Sequence, residues 1–410
     1  MFDVERAKRG LPESVFAADA GTRARPLLVT TGYVATIRTA FSGSSWYLAE
    51  AGMRAGTLDG IVSAQSEVRP DYGLKARGAL WKAGRKLRGQ KIGGYKFTTD
   101  FQDSIWKRHL PLLAGTSLID NCQTRGEWFL RHYREHDIRL FNYVDGTLTE
   151  YFTTYRDFDC ATIDDTTMRQ AIEDERRGYA EAEHIVAMCE RTRASLRADY
   201  DVPDDKISIV VPGANIDDSF ADRVLARPEE ERMPEEFVLG FIGLFPLRKG
   251  LDRLAQAVTI LRQRGRRVRL RVIGRCPPEI AAMDGVDDYG IVRKADEPER
   301  FVEIVSGVHL GCQLSWAELF GIAMMEFLRF GIPILATDAG GLPDIVAGGG
   351  GVLVPREITA EELAERLDAI IGDESVYRSL AQGARRQSQW ASWTRASADL
   401  AAVLGPRARE

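Results

Sequence analysis

The sequence predicts an α/β protein of two doubly wound parallel-sheet domains, and three observations carry that reading. The chain has 410 residues, more than one hydrophobic core ordinarily supports. In each half, short apolar runs that read as strands alternate with helical patterns, which is the signature of βαβ units and a parallel sheet. Between the halves, residues 217–236 are rich in charge and contain Pro228 and Pro234, as expected of a crossing between domains.

In the first half, Leu27 to Thr31 is a short apolar run. It leads into a loop containing Gly32 and Gly43 and then a helical pattern from Trp46 to Gly52, so strand, glycine loop and helix open the domain. Further strands are expected at Gly60 to Ser63, Thr116 to Asn121, Ile138 to Tyr143, near Ala161, and at His184 to Met188. Ile207 to Val211, followed by Pro212 and Gly213, closes this half. The second half has candidate strands at Phe237 to Ile242, Val268 to Ile273, Asp288 to Val292, Val308 to Leu314, Pro333 to Ala336 and Gly351 to Val354. Glu361 to Ile371, Glu374 to Gly383 and Trp393 to Leu404 read as helices. The expected domains are 1–213 and 214–384.

Hydrophobic residues make up 44 % and charged residues 28 % of the chain, an ordinary balance for a soluble globular protein. The formal net charge of −5 argues against a dedicated nucleic-acid binder. No apolar run is long enough to cross a bilayer, and the first residues lack a signal-peptide core, so a cytoplasmic location is expected. The five cysteines are scattered without C-x-x-C spacing, which argues against a disulfide framework or a zinc site. His132 and His136 have helical spacing but no third ligand nearby, and no metal is expected.

The most informative stretch runs from Ser315 through Glu318, Phe320, Gly321, Ile322 and Glu326 to Gly331, Pro333, Gly340, Gly341 and Pro343. The apolar run before it places Glu318 in a strand-to-helix loop and Glu326 inside the helix, which Gly331 and Pro333 then stop. A loop at the carboxyl end of a parallel strand is where open α/β sheets bind ligands. The N–H groups of Leu319, Phe320, Gly321 and Ile322 would there face an anion such as phosphate. Two glutamates at this spacing also fit a helix with one capping and one exposed carboxylate.

With its flanking F-G-I, G-x-P and G-G-L-P elements, the stretch resembles the E-x7-E donor motif of family 4 retaining glycosyltransferases. The resemblance implies the GT-B fold, two Rossmann-like domains facing a cleft, and a last helix, from about residue 385 to 410, that packs back on the first domain. It implies that Glu326 binds the ribose of a nucleotide-sugar and that Glu318 reaches the transferred sugar. No cofactor or metal is implied, the nucleotide-sugar being a substrate.

Gly243 ends the first strand of the second half, and Arg248 and Lys249 follow it. The segment resembles the family's G-R…K-G element, whose cations neutralise charge on the leaving diphosphate. Leu244 stands where the arginine is usual, and Arg248 is the candidate to replace it. Arg275 and Ile291 match strand ends that border the nucleobase in the family. In the first half, Gly43 and Ser44 match a donor-phosphate loop, and Arg38 of the same loop is assigned to the acceptor side. Asp145 takes the place where many relatives carry a histidine beside the sugar, and it reads equally as a cap for the helix that follows. Asp157-Phe-Asp159 and Asp199-Tyr-Asp201 resemble the metal motif of the other large glycosyltransferase fold, but neither follows a convincing apolar strand.

From Lys75 to Lys96, eight cations occur without an acidic residue and are interleaved with Leu74, Leu80, Trp81, Leu87 and Ile92. The stretch reads as a solvated loop, or as a contact with an anionic lipid surface or a phosphorylated acceptor. The sequence thus predicts a retaining hexosyltransferase that uses a UDP- or GDP-linked sugar and an acceptor hydroxyl, anionic or lipid-linked, in glycan, glycolipid or glycoconjugate synthesis. The alternative is a non-catalytic nucleotide-sugar-binding subunit supporting a partner transferase.

Overall fold

The structure, a computed structural model, describes residues 27–30, 43–58, 60–63, 72–120, 125–226, 234–294 and 296–405. It comprises two units. The first holds the described residues up to Val211 together with those from Ala396 onward, and the second is Pro212–Arg395.

Among the described residues of the first unit, aliphatic and β-branched runs form six parallel strands: β1 (Leu27–Thr30), β2 (Gly60–Ser63), β3 (Ser117–Asp120), β4 (Arg139–Val144), β5 (His184–Ala187) and β6 (Ile207–Ile209). Their order is β2-β1-β3-β4-β5-β6, so the order reverses between β1 and β3. Trp106, Phe129, Leu118 and Leu140 pack one face. Ile185, Leu196 and Tyr200 belong to a second cluster farther along the sheet.

Among the described residues, no strand forms near Ala161. Turns occupy 155–163, with Cys160 N–H bonded to Tyr155 O and Ile163 N–H to Cys160 O, both at 3.0 Å. Asp and Thr side chains favour such local bonding over a ladder. Asp164 then caps the helix Asp165–Glu181, accepting from the N–H groups of Thr166 and Thr167.

That helix buries Glu175 completely. The carboxylate accepts from Leu148 N–H at 2.8 Å, from the Tyr179 hydroxyl at 2.9 Å and from the Tyr200 hydroxyl. Burial pushes its pKa up to about 8 against these donors. The folded form therefore binds more protons than the unfolded one between the ordinary value of 4.5 and about 8, and stability falls as pH rises through that window. Denaturant unfolding across this range is expected to show the fall, of a few kcal/mol at most. Glu175→Gln is expected to flatten it.

The second unit has β7 (Phe237–Gly243), β8 (Val268–Gly274), β9 (Val286–Asp288), β10 (Leu310–Gln313), β11 (Ile334–Thr337) and β12 (Gly351–Val354). All pair in parallel, in the order β12-β11-β10-β7-β8-β9. The order reverses between β7 and β10, whose register pairs Leu239 with Leu310 and Gly240 with Gly311. Leu239, Phe241, Leu254, Val258, Leu270, Leu310 and Leu363 are core residues here. β9 begins and ends earlier than the sequence suggests, because Asp288 accepts from Gly290 N–H at 2.8 Å and turns the chain there.

The charged crossing carries a helix, Asp218–Leu225, capped by Asp217. Its carboxylates have a structural use. Arg329, only 1 % exposed, pairs with Asp218 at 2.9 Å and Asp222 at 2.7 Å.

The helix Glu374–Gln387 also stays with this unit. Gln387 accepts from Gly350 N–H at 2.7 Å and donates to Ile345 O at 3.3 Å. The return to the first unit therefore begins at Ala396 rather than near residue 385. It lies within the last helix, Trp393–Leu404, which buries Ala396, Leu400 and Leu404. No helix among the described residues is long and apolar enough to cross a membrane.

Candidate active site

In the second unit, the candidate residues collect where β7 and β10 diverge, at their carboxyl ends. The loop after β7 turns through Phe245 and Leu247 into the helix Leu251–Gln263, and it is bound to the segment after β10 by main-chain bonds. Leu314 N–H bonds to Lys249 O at 3.1 Å and Trp316 N–H to Arg248 O at 2.9 Å. Gly243 has no Cβ to collide with the Lys249 stem, whose Cδ would lie 2.8 Å from it. Leu244 is 47 % exposed, and the Arg248 guanidinium donates to Ala317 O.

Glu318, at the edge of burial with 9 % exposure, receives these cations. Its Oε2 lies 3.4 Å from Lys249 Nζ and 3.6 Å from Arg248 Nη1. Oε2 also accepts from Gln313 Nε2 at 2.7 Å and from Ser315 Oγ at 3.3 Å. Burial raises the Glu318 pKa, but Lys249 and Arg248 outweigh it and the net shift is downward, so the group is ionised at neutral pH. All four of these contacts are to Oε2.

The double glycine supports this loop from below. Gly340, at φ +57°, lies so close that a Cβ would be 2.4 Å from the carbonyl oxygens of both Glu318 and Leu319. Gly341 N–H bonds to Leu319 O at 2.8 Å, and the Thr337 hydroxyl to Ser315 O at 2.9 Å.

Gly321, at φ +105°, opens the helix Ile322–Arg329. The first-turn N–H groups of such a helix lack intrahelical acceptors. Phe320 is 5 % exposed and Ile322 half-buried, so they offer main chain rather than side chain. Glu326, 1 % exposed, is paired with Lys294. Here burial outweighs the pull of Lys294 and of Lys249, and the pKa is raised. The two glutamates are thus electrostatically unlike although their sequence surroundings look similar. Arg275 is exposed and its N–H bonds to Gly243 O at 3.0 Å, while Ile291 is 54 % exposed beyond β9.

Sequence reasoning missed Gln313, Ser315, Lys294 and Arg253. A glutamine ending the apolar run of β10 was the available signal for Gln313. Arg253 lies 3.9 Å from the centre of the Trp316 ring and donates to Leu314 O, Arg356 O and Ile358 O, which holds the strand end that precedes Glu318.

In the first unit, Gly43 is left-handed at φ 96° and opens the helix Ser44–Ala55, whose Ser44 is 7 % exposed. Arg38 lies outside the described residues. Asp145 follows β4 and its carbonyl accepts from the Thr192 hydroxyl at 3.1 Å. It is not the cap of the next helix. Thr147 fills that role, in a reciprocal capping box with Glu150. Asp157 and Asp159 lie in turns, Asp199 accepts from Ser195 Oγ at 2.6 Å, and Asp201 sits at φ 56° past a helix end. Among the described residues, no group of three or more His, Cys, Asp or Glu side chains is placed to hold a metal ion.

Residues 222–387 match the family described as "Glycosyl transferases group 1". A D-inositol 3-phosphate glycosyltransferase of Nocardia farcinica is 29 % identical over 239 residues, 55 % of this chain and 53 % of that one. The chain spans about half the length of the curated relatives it matches. The fold is shared with sucrose-phosphate synthase from Thermosynechococcus elongatus, with TM-score 0.61 and 16 % identity, covering 93 % of this chain and 98 % of that one. It is also shared with Anabaena HepE solved in complex with UDP, with TM-score 0.62 and 12 % identity, covering 93 % and 99 %. Each unit is a parallel, Rossmann-like sheet, and the fold is GT-B. The matched segment encloses Arg248, Lys249, Glu318 and Glu326, so the part of the chain that carries the candidate site is similar to the group 1 glycosyl transferases.

Proposed function

We propose that the protein is a retaining glycosyltransferase that moves a sugar from a UDP- or GDP-linked donor to an acceptor hydroxyl, anionic or lipid-linked, in glycan, glycolipid or glycoconjugate synthesis. The observation that carries the reading is an ionised, buried Glu318 held by two cations at the point where the strand order reverses. In this reading Oε1 of Glu318 orients a hydroxyl of the transferred sugar. Lys249, Arg248 and the helix opened by Gly321 take up charge that builds on the leaving diphosphate. That diphosphate assists removal of the acceptor proton, on the same face of the sugar from which it departs. Glu326 binds the ribose, with Gly243, Arg275 and Ile291 beside the base. Gly43 and Ser44 are assigned to donor phosphate, Arg38 to the acceptor and Asp145 to the reacting sugar. No step requires a metal.

The test is a thermal-shift panel of UDP, GDP and their sugar conjugates, followed by donor hydrolysis with each sugar that binds. A shift selective for one nucleotide and lost in Glu326→Ala is expected, because ligand binding raises apparent stability by mass action. Binding without any hydrolysis or transfer would favour the non-catalytic subunit.

Lys294 acts in this reading as a positioning residue whose charge offsets part of the burial cost of an ionised Glu326. Lys294→Met is expected to weaken nucleotide binding about tenfold. The loss should deepen as pH falls, because the unpaired carboxyl protonates at higher pH than in the parent. Calorimetric titration at several pH values checks this, and a loss independent of pH would leave Lys294 a packing residue only.

A further inference from the structure

The first unit carries a helix, Tyr72–Leu87, whose two faces are built for different surroundings. Its inner face is fixed to the protein. Leu74 and Gly78 are buried, and a Cβ on Gly78 would meet the Tyr95 ring at 2.9 Å. Trp81 packs on Tyr95 at 5.5 Å between ring centres, with the Arg85 guanidinium 4.8 Å above it, and Arg85 pairs with Asp164. The opposite face is an exposed apolar stripe of Tyr72, Ala76, Leu80, Ala83 and Leu87, at helical spacing. Tyr72 is 78 %, Leu80 73 % and Leu87 88 % exposed, so the helix turns two of its three leucines away from the unit.

Cations border the stripe on both sides. Lys75, Lys82 and Lys86 lie along one edge and Arg77 and Arg88 along the other, and the helix contains no acidic residue. On the lysine edge the helix adjoins an open cavity of about 770 Å³, whose lining includes three lysines, Lys75, Lys82 and Lys96, one carboxylate, Asp159, and the apolar Leu74 and Ile163.

We infer that this helix lies in the plane of a bilayer surface containing anionic lipid. The stripe enters the boundary between headgroups and acyl chains, and the flanking cations meet phosphate headgroups, for which the adjoining cavity leaves room. An apolar stripe between two cationic edges is the arrangement that an anionic interface favours. A second copy of the chain fits less well, because pairing two such helices along their stripes brings like charges together.

The full chain is floated with phosphatidylcholine vesicles, with and without phosphatidylglycerol. Flotation is expected with the anionic vesicles only, and high salt should release it. The double variant Leu80→Asp, Leu87→Asp should remain at the bottom of the gradient. The triple variant Lys75→Gln, Lys82→Gln, Lys86→Gln should partition roughly a hundredfold more weakly, each cation being worth about a factor of five at an anionic surface. Val376→Asp, at another exposed apolar position on the helix Glu374–Gln387, should float like the parent. All of these positions are exposed, so the variants should melt with the parent. Equal flotation with neutral vesicles, or flotation unchanged in the double variant, overturns the inference. So does a concentration-dependent dimer, in the absence of flotation, that the double variant abolishes. The readout is independent of transferase activity, so the result stands whether or not the proposed reaction is found.

Discussion

Replacing Glu318 by alanine is expected to lower turnover by about a hundredfold or more while leaving nucleotide affinity within a factor of about two to three of the parent. The expectation follows from where its contacts fall. Lys249, Arg248, Gln313 and Ser315 all address Oε2, which fixes the carboxylate, and the proposed reading gives Oε1 to the sugar. In the proposed reading, losing the side chain removes an interaction with the sugar but none with the nucleotide. Glu318→Gln separates charge from geometry. If the negative charge matters to the reacting sugar, the amide variant should be nearly as slow as alanine. Steady-state kinetics with the donor found in the thermal-shift panel decides the point, and parental turnover in both variants would remove Glu318 from the mechanism.

Lys249→Met has the opposite profile. It removes a cation assigned to diphosphate and leaves a buried carboxylate with Arg248 as its remaining cationic partner. A charge-assisted hydrogen bond of this kind contributes about 1.5–3 kcal/mol. Affinity for the nucleoside diphosphate should therefore fall roughly tenfold to a hundredfold, and affinity for the free nucleoside should not change. Calorimetric titration of both ligands distinguishes this from general damage, since a misfolded site would lose both. An equal loss for Arg248→Ala would mean that Arg248 does the work of the arginine that Leu244 displaces.

Much of this architecture was legible because it is written in local periodicity. β12 and the last helix have the bounds that their hydrophobic patterns suggest. Glu318 and Glu326 stood out because glycines and prolines with specific backbone roles flank them. Gly340 shows such a role, since any side chain there would strike two carbonyl oxygens. What stayed hidden lies in contacts between distant segments. Nothing near Lys294 announces that it meets a glutamate on another helix, and nothing in the charged crossing announces that Asp218 and Asp222 pair with a buried Arg329. At Asp145 two local signals competed. A capping reading was reasonable for the residue alone, but Thr147 with Glu150 satisfies the helix start from two residues further on. Near Ala161 an apolar residue suggested a strand, and the surrounding Asp and Thr residues made turns instead.

The second unit is one uninterrupted piece of chain, whereas the first is made of two pieces that flank it. Synthesis therefore finishes them in an unexpected order. The second unit is complete once Arg395 has left the ribosome, while the first still waits for the helix that buries Leu400 and Leu404 and meets Arg139 through the Leu404 carbonyl. A nonsense mutation within that helix would thus injure the half of the protein translated first. Chimaeras that exchange the second unit between relatives should be joined before Pro212 and after Arg395, so that both pieces of the recipient's first unit are kept.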